Sequence, residues 1–515
     1  MTQTDQNLLH KMPAAGLSMA GIFVLTLWQP NTLRLPWQEA LPTIAVTLGL
    51  AALFIALLRP LAGSWRRASL IGAIWTAWCA YGPVAVSMVF DAPGWRWAAL
   101  AVLALFAWDV SRKVPRGEAD LAKVTRLTNI TLLPYALMLV AIALYNVVRF
   151  ESTRPEPATV FKLPQARADA NSPDVWHIIM DRYGDAETLR NVYGHDNRPF
   201  LNALRARGFT VSDTAFSNYQ RTGHSVTSTL NASYLDPLGQ AGANPADWVP
   251  LYRALADNAA LRFFNAAGYR TIYSGSWWNP TRRSDSADTN INYRALPELA
   301  QLMLDQTAIG RAMAALRLPY GDTRREQCER TRREFAQLRA VAQSGDRKYV
   351  FAHFLVPHPP YVLNADGTCR DLAVAKAATR AQNYAGQVEY ANRELLALID
   401  RILAGPRKAT IVLHADEGPW PAPYFDNEHE QGQDPVAVDW PNLDRAALRE
   451  KLGILMAIRH ADGAPAPALQ SPVNIYPVVL NHSFGGKFPL QPDRHFVFNR
   501  EDALYTFTDV GGKIR

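Results

Sequence analysis

Five apolar stretches fill the first 150 residues, at 13–28, 40–58, 69–90, 95–108 and 130–148, and few charges interrupt them. A helix that crosses a bilayer needs about 20 largely apolar residues. The second, third and fifth stretches meet that length. The first and fourth are shorter and lean on flanking tryptophan and polar residues. Trp28, Trp37, Trp65, Trp95 and Trp108 stand at stretch ends, where an aromatic belt places them. The pattern predicts a membrane domain of about five helices over 1–150. Arg59, Arg66 and Arg67 fall between the second and third stretches, and Arg112, Lys113, Arg116, Lys123 and Arg126 between the fourth and fifth. The alternate loops, 29–39 and 91–94, carry little positive charge. The positive-inside rule then predicts a cytoplasmic N-terminus and an extracytoplasmic chain after Arg149. No small-residue cleavage site follows the first stretch, so it is expected to remain as a span.

The formal net charge of +7 does not point to nucleic acid. Many of the basic residues flank apolar stretches, and no Lys/Arg stripe with interleaved aromatics occurs in the remainder. Residues 151–172, with Pro155, Pro157 and Pro164, read as an extended linker. From 173 to 515 the composition is globular, with length enough for a sizeable core. Residues 171–181, NSPDVWHIIMD, lead from turn residues through an apolar run to an acid. The pattern returns at 348–353 (KYVFAH) and 409–416 (ATIVLHAD), and more weakly at 269–275. Helical stretches at 196–207, 247–267, 324–342 and 380–403 separate these runs. The alternation predicts an α/β sandwich with a mostly parallel sheet, which presents its site residues at strand C-terminal ends. Of three cysteines, Cys79 lies in an apolar stretch, while Cys328 and Cys369 lie in the extracytoplasmic part. There a disulfide is favoured by compartment; a bonded pair and two separate thiols both fit the sequence.

PDVWHIIMDRYG, SNYQRTGHSVTSTLN, FLVPHPPY, IVLHADEG and PVNIYPVVLNHSFG occur in that order between 173 and 492. Together they resemble the sulfatase-like hydrolase/transferase family of the alkaline phosphatase superfamily. With a helical membrane half in front, the chain is most similar to the lipoteichoic acid synthase and phosphoethanolamine transferase types. The resemblance implies an alkaline-phosphatase-like fold and a bacterial inner-membrane protein with a periplasmic catalytic domain.

It also implies a site. Asp181, at the end of the first strand, matches the family's first metal ligand; the structural alternative is an acid capping a strand. Arg182 stands where a second acid often follows, which favours one metal over two. Thr222 is the expected nucleophile. Gly223 permits a tight turn after it, and a hydroxyl at a helix N-terminus beside a bound cation is activated for attack. The alternatives are an ordinary helix cap for Thr222 and Ser225 as the nucleophile. No cysteine stands here, so the formylglycine of true sulfatases cannot form. Asp416 and Glu417 end the strongest strand, where the family usually reads Asp-His-Gly. Asp181, Thr222, Asp416 and Glu417 would make an all-oxygen shell that favours Mn²⁺ or Mg²⁺, with Ca²⁺ or Zn²⁺ possible; loss of metal binding is the other reading of Glu417. His358, framed by prolines, matches a histidine that contacts phosphate or sulfate in the resembling enzymes. His353, nearer its strand, reads as structural. Arg182 and Arg221 are candidate cations for the non-bridging oxygens or plain surface charges, and Trp277 and Trp278 read as packing.

The expected function is metal-dependent transfer of a phosphorylated headgroup, phosphoglycerol or phosphoethanolamine in type. It passes from a membrane phospholipid to an envelope glycan or lipid through a threonine intermediate. A phosphodiester or sulfate ester hydrolase is the alternative, and a catalytically degenerate envelope-binding protein the second.

Overall fold

The computed structural model describes residues 9–163, 168–169, 171–421 and 438–515. The chain forms two compact units, Met1–Ser152 with Leu296–Thr323, and Thr153–Ala295 with Arg324–Arg515.

The first unit contains α1 (Ala15–Trp28), α2 (Trp37–Ala62), α3 (Trp65–Ser87), α4 (Pro93–Lys113) and α5 (Glu118–Glu151). All five apolar stretches are therefore helical. Three of the helices, α2, α3 and α5, are long and apolar enough to cross a membrane. Ser64 caps α3 by accepting from the Arg67 N–H at 3.2 Å. Buried Arg67 donates from Nε to the Val114 carbonyl at 3.1 Å, and Arg66 pairs with Glu118. The Asn129 amide donates to the carbonyls of Leu9 and Met12, both at 2.9 Å. The loops after α2 and α4 and the start of α1 thus gather at one end of the bundle.

Residues 296–323, which lie inside the expected soluble domain, belong instead to this helical unit. They form an inserted helix pair, Glu298–Gln306 and Ala308–Ala315. Leu299 is buried with Trp28, Leu35 and Leu139, and Thr47 Oγ1 lies 3.7 Å from Met303 Sδ.

The second unit is built on a seven-stranded sheet: β1 (Asp174–Met180), β2 (Thr210–Val211), β3 (Arg270–Ser274), β4 (Thr289–Ile291), β5 (Lys348–Phe354), β6 (Ala409–Ala415) and β7 (Met456–Arg459), ordered β2-β7-β6-β1-β5-β3-β4. β8 (Phe496–Val497) and β9 (Thr508–Asp509) form a separate two-stranded ribbon. β1, β5 and β6 are parallel and buried along their whole length, which is why they read as unbroken apolar runs. β2 and β7 pair antiparallel at one edge.

Among the helices are α6 (Thr222–Asn231), α7 (Arg380–Leu403), begun by a Thr379/Gln382 capping box, and α8 (Ile475–Ser483). The helical stretch at 247–267 is two helices, because Asn258 turns extended and accepts from the Leu261 N–H at 2.8 Å. The expected linker is docked where it is described. Arg154 pairs with buried Asp247 at 2.7 Å and Phe161 is buried; residues 164–167 and 170 lie outside the described residues. Cys328 and Cys369 form a disulfide.

A chain of buried polar side chains crosses β5, α8, β1 and β6. Tyr349 and Tyr476 hydroxyls lie 2.6 Å apart, Tyr476 and His177 Nδ1 2.7 Å, and His177 Nε2 and His414 Nε2 2.8 Å. His414 Nδ1 lies 2.7 Å from the Ala415 carbonyl, which can only accept. That end sets every tautomer: His414 donates from Nδ1, His177 donates from Nε2, and Tyr476 donates to His177. Both histidines are neutral in this arrangement.

Candidate metal centre

Ile179 of β1 is in register with His353 of β5 on one side and His414 of β6 on the other. Side chains alternate with period two, so Asp181, His353 and Asp416 share one sheet face at the strands' C-terminal ends. Their ligand atoms all lie within 4.8 Å of one another. Asp181 follows β1 directly, its N–H donating to the Phe354 carbonyl at 2.9 Å. Asp416 follows β6, and its Oδ1 accepts from the Arg182 N–H at 3.0 Å. Arg182 adopts φ 60°, a left-handed conformation that costs a non-glycine residue about 1–3 kcal/mol and concentrates at functional sites. Thr281 Oγ1 sits 2.9 Å from His353 Nδ1, leaving Nε2 turned toward Asp181 Oδ2 at 3.5 Å.

Asp181 Oδ1, Asp416 Oδ2, Glu417 Oε2 and His353 Nε2 are all buried without a hydrogen-bond partner. Each such atom costs about 1–3 kcal/mol, and more when charged. Three of them, on Asp181, Asp416 and His353, make a donor set that fits a divalent cation. The electrostatics agree. Burial pushes the Asp181 carboxyl up to about 7, against the lowering effect of Arg182. Burial, then the charges of Asp181 and Glu417, pushes Asp416 well above the carboxylate range. Burial draws His353 down to about 4, which leaves its imidazole neutral, the form that ligates metal. An imidazole beside two carboxylates also admits softer ions than the expected all-oxygen shell does.

Glu417 is placed beside this cluster but engaged elsewhere through Oε1, with Lys451 Nζ at 2.7 Å and Arg182 Nε at 3.2 Å. Lys451 is fully buried, and burial draws its ammonium down to about 8 despite Glu417. Lys451 Nζ, the Arg221 guanidinium and the Arg182 guanidinium lie 4.7, 5.0 and 5.6 Å from the Trp420 ring centre. Three cations therefore surround one indole next to the carboxylates.

Thr222 is the first residue of α6, half-buried, directly after extended Arg221. Ser225 is fully enclosed. Its hydroxyl takes a hydrogen bond from Ser217 Oγ at 3.0 Å, and Ser217 lies 2.5 Å from the Asp416 carbonyl. A Cβ on Gly223 would come within 3.3 Å of Leu251 and Tyr252, so any other residue here would push those two side chains back by a few tenths of an ångström. His358 has its backbone carbonyl held by Gln387 Nε2 at 3.2 Å. Its imidazole is held well below its ordinary range, by burial first and then by Arg182 and Lys451. Trp278 packs on His353, ring centres 6.2 Å apart, whereas Trp277 is exposed.

The sequence reading took His353 as structural and did not single out Thr281 or Lys451. His353 had a legible signal: it is the last residue of buried β5 on the face that Asp181 and Asp416 share. Thr281 and Lys451 lie 72 residues before and 34 residues after the groups they serve, and no local pattern marks either.

The sulfatase family model matches residues 173–482. The chain belongs to the sulfatase family. It is accordingly a sulfatase-like hydrolase or transferase, and three helices long and apolar enough to cross a membrane precede the matched residues. Among solved structures, the chain is similar to the C-terminal periplasmic domain of EcEptC from Escherichia coli, at 11% identity over 68% of this chain and 96% of that one, TM-score 0.41. It is similar to the integral membrane lipooligosaccharide phosphoethanolamine transferase A from Neisseria meningitidis, at 12% identity over 88% of both chains, TM-score 0.38. A Vibrio parahaemolyticus protein of the alkaline phosphatase superfamily shares 9% identity over 68% of this sulfatase-family chain and 80% of its own, TM-score 0.40. No curated protein sequence matches the chain.

Proposed function

We propose that the protein transfers a phosphorylated headgroup from a membrane phospholipid to an envelope glycan or lipid, through a covalent intermediate on Thr222. The observation that carries this reading is the set of unpartnered buried atoms on Asp181, His353 and Asp416, in a chain that also carries a membrane-type helical unit. Those three side chains would hold one divalent ion, with Glu417 Oε2 open beside them. When bound, the ion supplies Lewis acidity, lowering the pKa of a nearby hydroxyl and offsetting charge on the transferring group.

Thr222 at the N-terminus of α6 places its oxygen where the helix dipole favours developing negative charge. Attack of that oxygen on phosphorus breaks the phosphorus–oxygen bond to the lipid, and an acceptor hydroxyl then displaces Thr222. Arg182, Arg221 and Lys451 provide positive field for the non-bridging oxygens, and neutral His358 would relay the proton given up by the Thr222 hydroxyl to the leaving oxygen. Thr222 is preferred over Ser225 because Ser225 is enclosed and already bonded. The positive-inside rule puts the N-terminus and both basic loops in the cytoplasm and this site in the periplasm of a bacterial inner membrane.

The test is elemental analysis of the purified full chain and of Asp416→Ala, with phospholipid donor turnover for wild type and Thr222→Ala. Wild type should retain about one divalent ion and Asp416→Ala should lose it. Thr222→Ala should lose turnover, and mass spectrometry should find phosphorylated Thr222 in wild type. Headgroup release to water without acceptor transfer would mark a hydrolase. A wild type that takes up no ion would leave the envelope-binding reading.

A further inference from the structure

Within the helical unit, α1, α2, α3 and the inserted helix pair line an open-sided cavity of about 640 Å³. Its wall is apolar, with Phe23, Leu50, Phe54, Trp75, Met303 and Leu304 among the lining residues. Of the four threonines in the wall, Thr47 and Thr307 have their hydroxyls turned back to neighbouring backbone carbonyls. Thr47 Oγ1 donates to the Thr43 carbonyl at 2.8 Å, and Thr307 Oγ1 to the Leu304 carbonyl at 3.0 Å. Water entering such a space finds few partners, and a charged headgroup finds no counter-charge. The volume falls within the range of about 300–1,000 Å³ that suits a small-molecule occupant. Val46 and Leu50, both 62% exposed, and Ile309, 61% exposed, form an apolar lip.

Two of the walls, α2 and α3, are helices of membrane-spanning length and composition, so the lip faces hydrocarbon when the unit is in a bilayer. The fourth wall is the segment that interrupts the catalytic unit's sequence and folds with the membrane helices. It carries exposed Ile309, Leu316 and Leu318 of its own, as an element immersed at a membrane surface does.

We propose that this cavity holds one acyl chain of a bilayer phospholipid, clasped between α2 and the inserted helix pair. The site recognises the chain and not the headgroup, and its occupancy does not depend on the chemistry of Thr222. The test uses the full-length protein in vesicles of phosphatidylethanolamine and phosphatidylglycerol, doped with a phospholipid bearing a diazirine midway along one acyl chain. After illumination, adducts are mapped by mass spectrometry.

Label should concentrate several-fold on peptides covering 46–54 and 303–309 relative to the exposed face of α5 at Leu137 and Leu144. Ala300→Trp and Thr47→Phe, which fill the cavity from opposite walls, should each abolish that enrichment and leave the α5 label unchanged. Uniform labelling of α5 and the cavity in wild type would reduce the occupant to ordinary annular lipid and overturn the proposal. So would enrichment that survives both fillings. Because the wild-type map stands alone, a variant that misfolds leaves the result decided, and the map is read without any turnover assay.

Discussion

Two side chains beside the carboxylates set measurable properties of the site. Thr281 fixes the His353 ring from behind, through Nδ1, and groups of this kind tune metal affinity by about 10–100-fold. Thr281→Ala should weaken Mn²⁺ or Zn²⁺ binding by that factor in titration calorimetry, while Thr281→Ser retains most of it. Lys451 and Glu417 are both within 1% of full burial in their side chains. Removing one partner of a buried pair strands the other charge and costs about 3–5 kcal/mol. Lys451→Met should therefore lower the chemical denaturation midpoint markedly. Lys451→Met with Glu417→Leu should recover much of the loss, since the uncompensated charge is gone; a double variant no more stable than the single would mean that Arg182 already satisfies Glu417.

At the scale of elements, three parallel strands bring the site together and one covalent tie holds the loop beside it. The disulfide joins Cys328, on the helix Thr323–Val341, to Cys369, 41 residues on. The loop it closes includes β5 with His353 and the His358 segment. A loop of that length gives about 4 kcal/mol of stabilisation on the chain-entropy model, within a usual range of about 2–4 kcal/mol. Cys328→Ala with Cys369→Ala should lower the melting temperature by an amount matching reductant treatment of wild type, and reductant should then have no further effect on the variant. Where helices are concerned, capping decides boundaries that hydrophobic periodicity leaves open. Thr379 and Gln382 start α7 at the residue the sequence reading gives, and Asn258 divides a stretch that the same reading takes as one helix.

For the molecule as a whole, the neutral histidines under the sheet couple stability to pH. Burial, reinforced by His414, holds His177 well below the ordinary histidine value. An unfolded chain takes up the proton near pH 6.5 and the folded one does not. The contribution of His177 is thus fully present above about pH 6.5 and is lost as the pH falls below it. The melting temperature of His177→Gln should be lower than wild type at neutral pH but fall less steeply between pH 7 and pH 5. Parallel curves would show that another group carries the dependence.

Much of this was legible along the chain. Apolar length alone marks α2, α3 and α5, because the cost of burying polar groups in hydrocarbon is felt over a single contiguous segment. Buried parallel strands appear as unbroken apolar runs, and an acid at the end of such a run is conspicuous because nothing else polar interrupts it. Asp181, Asp416 and the α/β order of 173–515 follow from those local patterns. What only the tertiary structure decided depends on registers and contacts between distant segments. The pairing of β1 with β5 puts His353 beside Asp181, the return of Lys451 turns Glu417 Oε1 toward cations, and 296–323 leaves its sequence neighbours for the membrane helices. A hydrophobic face does not encode which of several apolar surfaces will cover it, and a carboxylate does not encode whether a metal or a lysine will answer its charge.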